Sequence, residues 1–178
     1  MPIETGGFDC EGNLIDSTEK MVVQRYFLRE DSNKAGEASP LVLACDAGRY
    51  KFTTKQEDIK PSSPNIDLEG LGGDGEIIMK RVDYFRVLLN VGEGNQRRYI
   101  GINEYLALAT KPRILGVSLG ILARSNQNVG EDTAITQTNS YVVLDKTVVV
   151  KAAANPKGYL RQVVTQEVAM RNALGDRE

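Results

Sequence analysis

The sequence predicts a mainly β fold: a small barrel or sandwich of about seven to nine strands, with an extended N-terminal arm and one C-terminal helix. Three observations lead there. Short runs rich in Val, Ile, Tyr and Phe recur along the chain, and such residues suit a pleated, half-buried surface. Glycine (17) and proline (6) gather in stretches between those runs, as turn formers do. Only the last segment joins helix-capping signals to a 3.6-residue apolar period.

Residues 1–18 read as an arm. The segment Gly6-Gly7-Phe8-Asp9-Cys10-Glu11-Gly12-Asn13 is glycine-rich and acidic, which leaves it too little apolar surface for a core of its own. Residues 19–154 read as the β-rich domain. Its first strand is Met21–Leu28, ended by the polar loop 30–39. Leu41–Cys45 is a short apolar run, Asp46-Ala47-Gly48 a turn, and Arg49–Thr53 alternates with period two, so these pieces predict a hairpin. Residues 55–75 lose the apolar period and collect Pro61, Pro64, Gly70, Gly72, Gly73 and Gly75, a loop long enough to suggest a role of its own.

Structure resumes at Glu76–Met79 and continues through Val82–Leu89, where alternation favours strand and a short helix over 80–90 is the alternative. Gly92–Asn95 turns the chain and Arg97–Ile100 returns beside it. A short apolar piece at Tyr105–Ala109 precedes Arg113–Ala123, whose Gly116 and Gly120 invite a bulge or a close backbone approach. Ala134–Thr138 and the valine-rich Tyr141–Val150 complete the strands. The helix is expected over 155–175: Asn155 caps, Pro156 suits the first turn, Gly175 ends it, and Leu160, Val163, Val164, Val168 and Leu174 share one face.

Composition narrows the function. There is no histidine, which removes the commonest general base and metal ligand. Two cysteines, Cys10 and Cys45, cannot complete a zinc or iron–sulfur site. No basic-then-apolar leader opens the chain and no apolar run approaches bilayer length, so a cytosolic origin with both thiols reduced and unpaired is expected. The net charge is −2. It divides unevenly: residues 1–75 hold 8 basic and 14 acidic groups (net −6), residues 76–178 hold 14 and 10 (net +4). An acidic segment that reaches a basic face on a neighbouring molecule is one reading of that asymmetry.

Gly70-Leu71-Gly72-Gly73-Asp74-Gly75 has the spacing of a dinucleotide fingerprint, but a proline-rich loop precedes it and a β-like run follows, whereas the phosphate must meet a helix N-terminus. Arg97-Arg98-Tyr99, near Lys80-Arg81 and Tyr84-Phe85, interleaves basic and aromatic residues as single-strand binders do. Acidic pairs at Asp9/Glu11, Glu57/Asp58 and Glu131/Asp132 lack a calcium-loop spacing. No catalytic, cofactor-binding or metal-ligating residue is assigned.

The stretch Arg113-Ile114-Leu115-Gly116-Val117-Ser118-Leu119, the polar turn Gly130-Glu131-Asp132, and Ala134-Ile135-Thr136 with the valine-rich run after it together resemble bacteriophage capsid decoration (cement) proteins, over about residues 113–150. The resemblance implies an all-β domain that clamps neighbouring capsid subunits, with no catalysis and no cofactor. The long N-terminal region, the C-terminal helix and Asn139-Ser140 in place of a glycine depart from it. The expected function is therefore a non-enzymatic virion protein that stabilises a shell by bridging subunits. Its partners would be other copies of itself and a major capsid or other virion protein, not a membrane, and it would assemble in the host cytoplasm. A phage tail-tube or neck component is the near alternative. The more distant ones are a cytosolic β-barrel that binds single-stranded nucleic acid or a small ligand, and a metal-dependent hydrolase built on acidic residues. The expected partner interface is Ile3, Phe8, Leu14, Ile15, Leu71, Arg97 and Arg98.

Overall fold

A computed structural model describes residues 6–15, 20–33, 41–51, 68–93, 96–127, 140–150 and 159–170. These are mainly β, in antiparallel sheets with one short helix and no closed barrel among them. The chain divides into two compact units, residues 1–32 with 42–80, and residues 33–41 with 81–178.

In the first unit the strands are β1 (Lys20–Glu30), β2 (Leu41–Lys51), β3 (Leu68–Glu69) and β4 (Glu76–Lys80). β2 is the central strand, with β1 beside it and both β3 and β4 paired to it antiparallel. Its run Val42-Leu43-Ala44-Cys45, with Ala47, is buried, which is what a strand flanked on both sides requires. The hairpin expected around Asp46-Ala47-Gly48 does not form; β2 runs straight through. Asp46, 1% exposed, accepts hydrogen bonds from the Arg25 guanidinium (2.8 Å) and the Gly72 N–H (2.8 Å). Gly48 has no side chain because Leu71 packs there: a Cβ on Gly48 would stand 2.7 Å from the Leu71 Cβ. The residues that look like a turn are instead those that let the glycine-rich segment 70–75 close over the strand. Gly75, at φ +60°, passes against the Cys45 carbonyl where no Cβ fits.

Of the expected arm, residues 6–15 are described, and they fold back on themselves. Gly6 donates to the Ile15 carbonyl and Ile15 to the Gly7 carbonyl. Asp9, 6% exposed, accepts from the N–H groups of Glu11 and Asn13 and pairs with Arg49 at 2.7 Å. That turn carries Cys10 to Cys45, and the two form a disulfide with Cα atoms 6.1 Å apart. The expectation of two reduced, unpaired thiols is thus overturned. The linear sequence shows a 35-residue separation, whereas the sheet brings the Asp9 turn against the middle of β2.

The second unit holds β5 (Val82–Glu93), β6 (Gln96–Gly101), α1 (Ile102–Ala107), β7 (Arg113–Arg124), β8 (Ser140–Val143), β9 (Lys146–Val149) and β10 (Arg161–Ala169). Four of them form an antiparallel sheet in the order β10-β7-β5-β6. The strand reading of 82–89 and its return through 97–100 hold. The valine-rich run is a two-stranded hairpin, β8–β9, turned at Leu144 (φ 54°) and Asp145. On one sheet face Leu89, Val91 and Ile100 form a core with Tyr105, Leu108, Ile114 and Val117. On the other, Gly120 makes room for the β8–β9 hairpin, since a Cβ there would stand 2.7 Å from Val143 Cγ1. Arg86 clamps the hairpin turn with two bonds of 2.8 Å to the Asp145 carboxylate. That pairing is the first cause of an Asp145 pKa lowered to about 2.

The C-terminal helix expected over 155–175 is corrected: its described part is a strand, β10, paired along its whole length with β7. Val163, Val164, Thr165 and Val168 are β-branched and favour strand over helix. Their spacing suits a helical face better than a strand face, since Val163 and Val164 point to opposite sides of the sheet, and pairing with β7 decides the matter, with Arg161 adding a tie across the sheet. This residue is buried (side chain 2% exposed) against Asp83 at 2.6 Å, a partner on β5 that lies two strands away across the sheet. The capping residues Asn155, Pro156 and Gly175, and the expected strand 134–138, lie outside the described residues, as do Gly94-Asn95 and most of the 55–75 loop.

Candidate interaction surface

On the face of the second unit's sheet that carries the β8–β9 hairpin, one cross-strand row reads Ala169, Gly116, Asn90, Tyr99, from β10 through β7 and β5 to β6. Two of the four have little or no side chain, so the row is a depression. A bulge in register between Asn90 and Val91 lies at its margin. Gly116 cannot carry a Cβ, which would stand 2.7 Å from the Val168 carbonyl oxygen; the glycine keeps β7 and β10 in register and the floor low.

Long side chains reach over this floor from both edges of the sheet. The Tyr99 hydroxyl on β6 donates to Glu167 Oε1 on β10 at 2.9 Å, and the Ser118 hydroxyl reaches the same oxygen at 3.4 Å. The Asn90 amide stands 3.5 Å from the Tyr99 hydroxyl. The contact to Glu167 raises the Tyr99 pKa above its ordinary value, partly opposed by the nearby Arg97 cation. The result is a groove of about 400 Å3, lined among others by Asn90, Arg97, Leu115, Ser118, Glu167 and Met170. Asn90 Oδ1 is buried there without a hydrogen-bond partner, and a buried acceptor left unpaired costs about 1–3 kcal/mol. The groove offers a cation, one unsatisfied acceptor and apolar walls, the mixture of groups that a binding site presents.

The residues expected to form the interface fall in both units. Arg97 and Arg98 are exposed on β6, and Arg97 lines the groove. In the first unit Phe8 and Leu14 bridge each other at 69% and 50% exposure; Ile15 is half-buried, and Leu71 is half-buried against Gly48. Ile3 lies outside the described residues. Sequence reading passed over Asn90, Ser118 and Glu167. Ser118, the polar member of the run Gly116–Gly120, was the available signal, since a hydroxyl between two strand glycines stands where a cleft is. Among the described residues no three His, Cys, Asp or Glu side chains gather as metal ligands, and no helix is long and apolar enough to cross a membrane.

Residues 54–172, which are 119 of the chain's 178, match the family described as Type IV Pilus-assembly protein W. The matched segment contains every groove residue and both edge strands of that sheet, while Cys10 and Cys45 lie before it. No curated protein and no solved structure matches the chain.

Proposed function

The chain belongs to the type IV pilus-assembly protein W family, and from that premise we propose that it works in building a type IV pilus, by binding other pilus components rather than by turnover. The family corrects the resemblance to bacteriophage capsid decoration proteins and the virion role drawn from it. It also displaces the tail-tube or neck, nucleic-acid or small-ligand, and hydrolase alternatives, together with the capsid partner. The likeness over 113–150 reflected what β7 and the β8–β9 hairpin share with many sheets: alternating apolar residues broken by glycines. Membership in an assembly family does imply protein partners.

One observation carries the reading from family to surface: the groove over Gly116 lies wholly inside the matched segment. We assign it as the face that receives a pilus component. The disulfide supports use outside a reducing cytosol, where such bonds persist. The test is a deletion strain complemented with wild type or with Ala169→Arg, which fills the groove from an exposed position on β10. Wild type should restore surface pili counted in sheared fractions, and the variant, folded by circular dichroism, should not. Unchanged piliation in the deletion strain would refute the role; full rescue by Ala169→Arg would refute the groove.

A further inference from the structure

We propose that copies of this chain join head to tail by strand addition, the outer edge of β4 in one copy pairing in parallel with the outer edge of β6 in the next. The inference goes beyond the family reading, which names neither the partner nor the seam.

Two strand edges carry it. β4 pairs only with β2, and β6 only with β5, so each has one edge without a strand neighbour among the described residues. An edge of that kind presents unpaired N–H and C=O groups to any chain of matching length, and the two strands are of similar length, five and six residues. Both are exposed: Glu76, Ile78 and Met79 on β4, and Arg97, Arg98 and Tyr99 on β6.

Charge selects the pairing and its direction. The first unit holds 8 basic and 14 acidic residues, net −6; the second holds 14 basic and 10 acidic, net +4. At the edges the same contrast is local, with exposed Asp74 and Glu76 leading into β4 and Arg97 and Arg98 opening β6. Parallel pairing with Ile78 near Tyr99 sets Glu76 beside Arg97 on the same face, with Asp74 just ahead of it and Arg98 on the opposite face. Antiparallel pairing would carry Glu76 to the Gly101 end of β6, away from both arginines, and would bring Lys80, already paired with Asp31 at 2.8 Å, against Arg97. Because the two edges differ, the contact is heterologous: a joined pair still presents one unused β4 and one unused β6, and growth continues as a ring or a filament.

The full chain with its disulfide intact tests this by sedimentation equilibrium and amide hydrogen exchange. It should associate beyond a dimer and weaken about tenfold or more between 50 and 500 mM salt, with protection rising with concentration at residues 76–80 and 96–101. Arg97→Glu/Arg98→Glu and Asp74→Lys/Glu76→Lys should each be monomeric alone, and an equimolar mixture of the two should associate, since each then supplies the edge charge the other lacks. A chain monomeric at every concentration, or concentration-dependent protection at β10 instead, would overturn the proposal. So would a mixture of correctly folded variants that stays monomeric. A monomeric chain that still restores pili would sink the strand addition and leave the pilus role standing.

Discussion

Breaking the Cys10–Cys45 bridge removes a constraint whose size follows from the chain alone. The bond spans a 35-residue separation, and the chain-entropy relation for a loop of that size gives about 4 kcal/mol at 25 °C. Both ends sit in ordered surroundings: Cys45 is fully buried in β2, and the Cys10 turn is separately held by Asp9, which pairs with Arg49. The native fold therefore has contacts to keep when the bond is cut, and the loss falls mainly on the unfolded state, which gains freedom. With an m-value of about 2 kcal/mol per molar urea, the midpoint for the first unit should fall by about 2 M on reduction. The assay is urea unfolding followed at the β2 amides by hydrogen exchange, with and without a phosphine reductant, after thiol titration of the untreated protein. An unchanged midpoint would refute the reasoning, and two titratable thiols in the oxidised preparation would refute the bond itself.

Removing one partner of the buried Arg161–Asp83 pair should cost about 3–5 kcal/mol, while replacing both with apolar residues of similar volume should cost far less; a double-mutant cycle in urea separates the two. Gly116→Val should lower stability by roughly 1–3 kcal/mol and detach β10, because its Cβ meets the Val168 carbonyl oxygen at 2.7 Å. Loss of exchange protection confined to 161–169 is the readout. Asp145, with its pKa lowered to about 2 by Arg86, binds its proton more weakly folded than unfolded. Its contribution to stability is therefore present above the unfolded value of 3.8 and is lost as pH falls through 4 toward 2. The pair is partly exposed, so the effect is small, and Arg86→Met should flatten that part of the acid unfolding profile.

Fold class was legible because alternation is a local property. Phe85, Val87 and Leu89 alternate, and with Arg97–Ile100 returning after a glycine turn they lean toward β5 and β6, although a short helix fits residues 80–90 almost as well. The errors arose where a residue's meaning lies elsewhere in the chain. Asp46-Ala47-Gly48 has turn composition, yet Asp46 answers Arg25, 21 positions earlier, and Gly48 answers Leu71. Val163, Val164 and Val168 share a helical face but fall on both faces of a strand, and the strand is settled by pairing with β7, a segment much earlier in the chain. Cys10 and Cys45 carry no local sign of pairing; their bond depends on a turn held by Asp9 and Arg49.

The groove was hidden for the same reason, taken further. Asn90, Arg97, Ser118 and Glu167 come from four strands, and what unites them is register, which a one-residue slip would abolish by turning every side chain of a strand to the other face. Reading β10 as a helix therefore did more than misname an element. A helix would carry Glu167 on the same face as Val163, Val164 and Val168, with no register to Tyr99 and Ser118, and so leaves no trace of the network that spans the sheet. A glycine in a strand is the usable trace of such a place. Gly116 and Gly120 lie on one face of the same strand, yet one is covered by Val143 and Leu144 of the hairpin while the other floors the open groove. The glycines mark where another group must come close, and only the structure shows that in one case the group is already present within the chain.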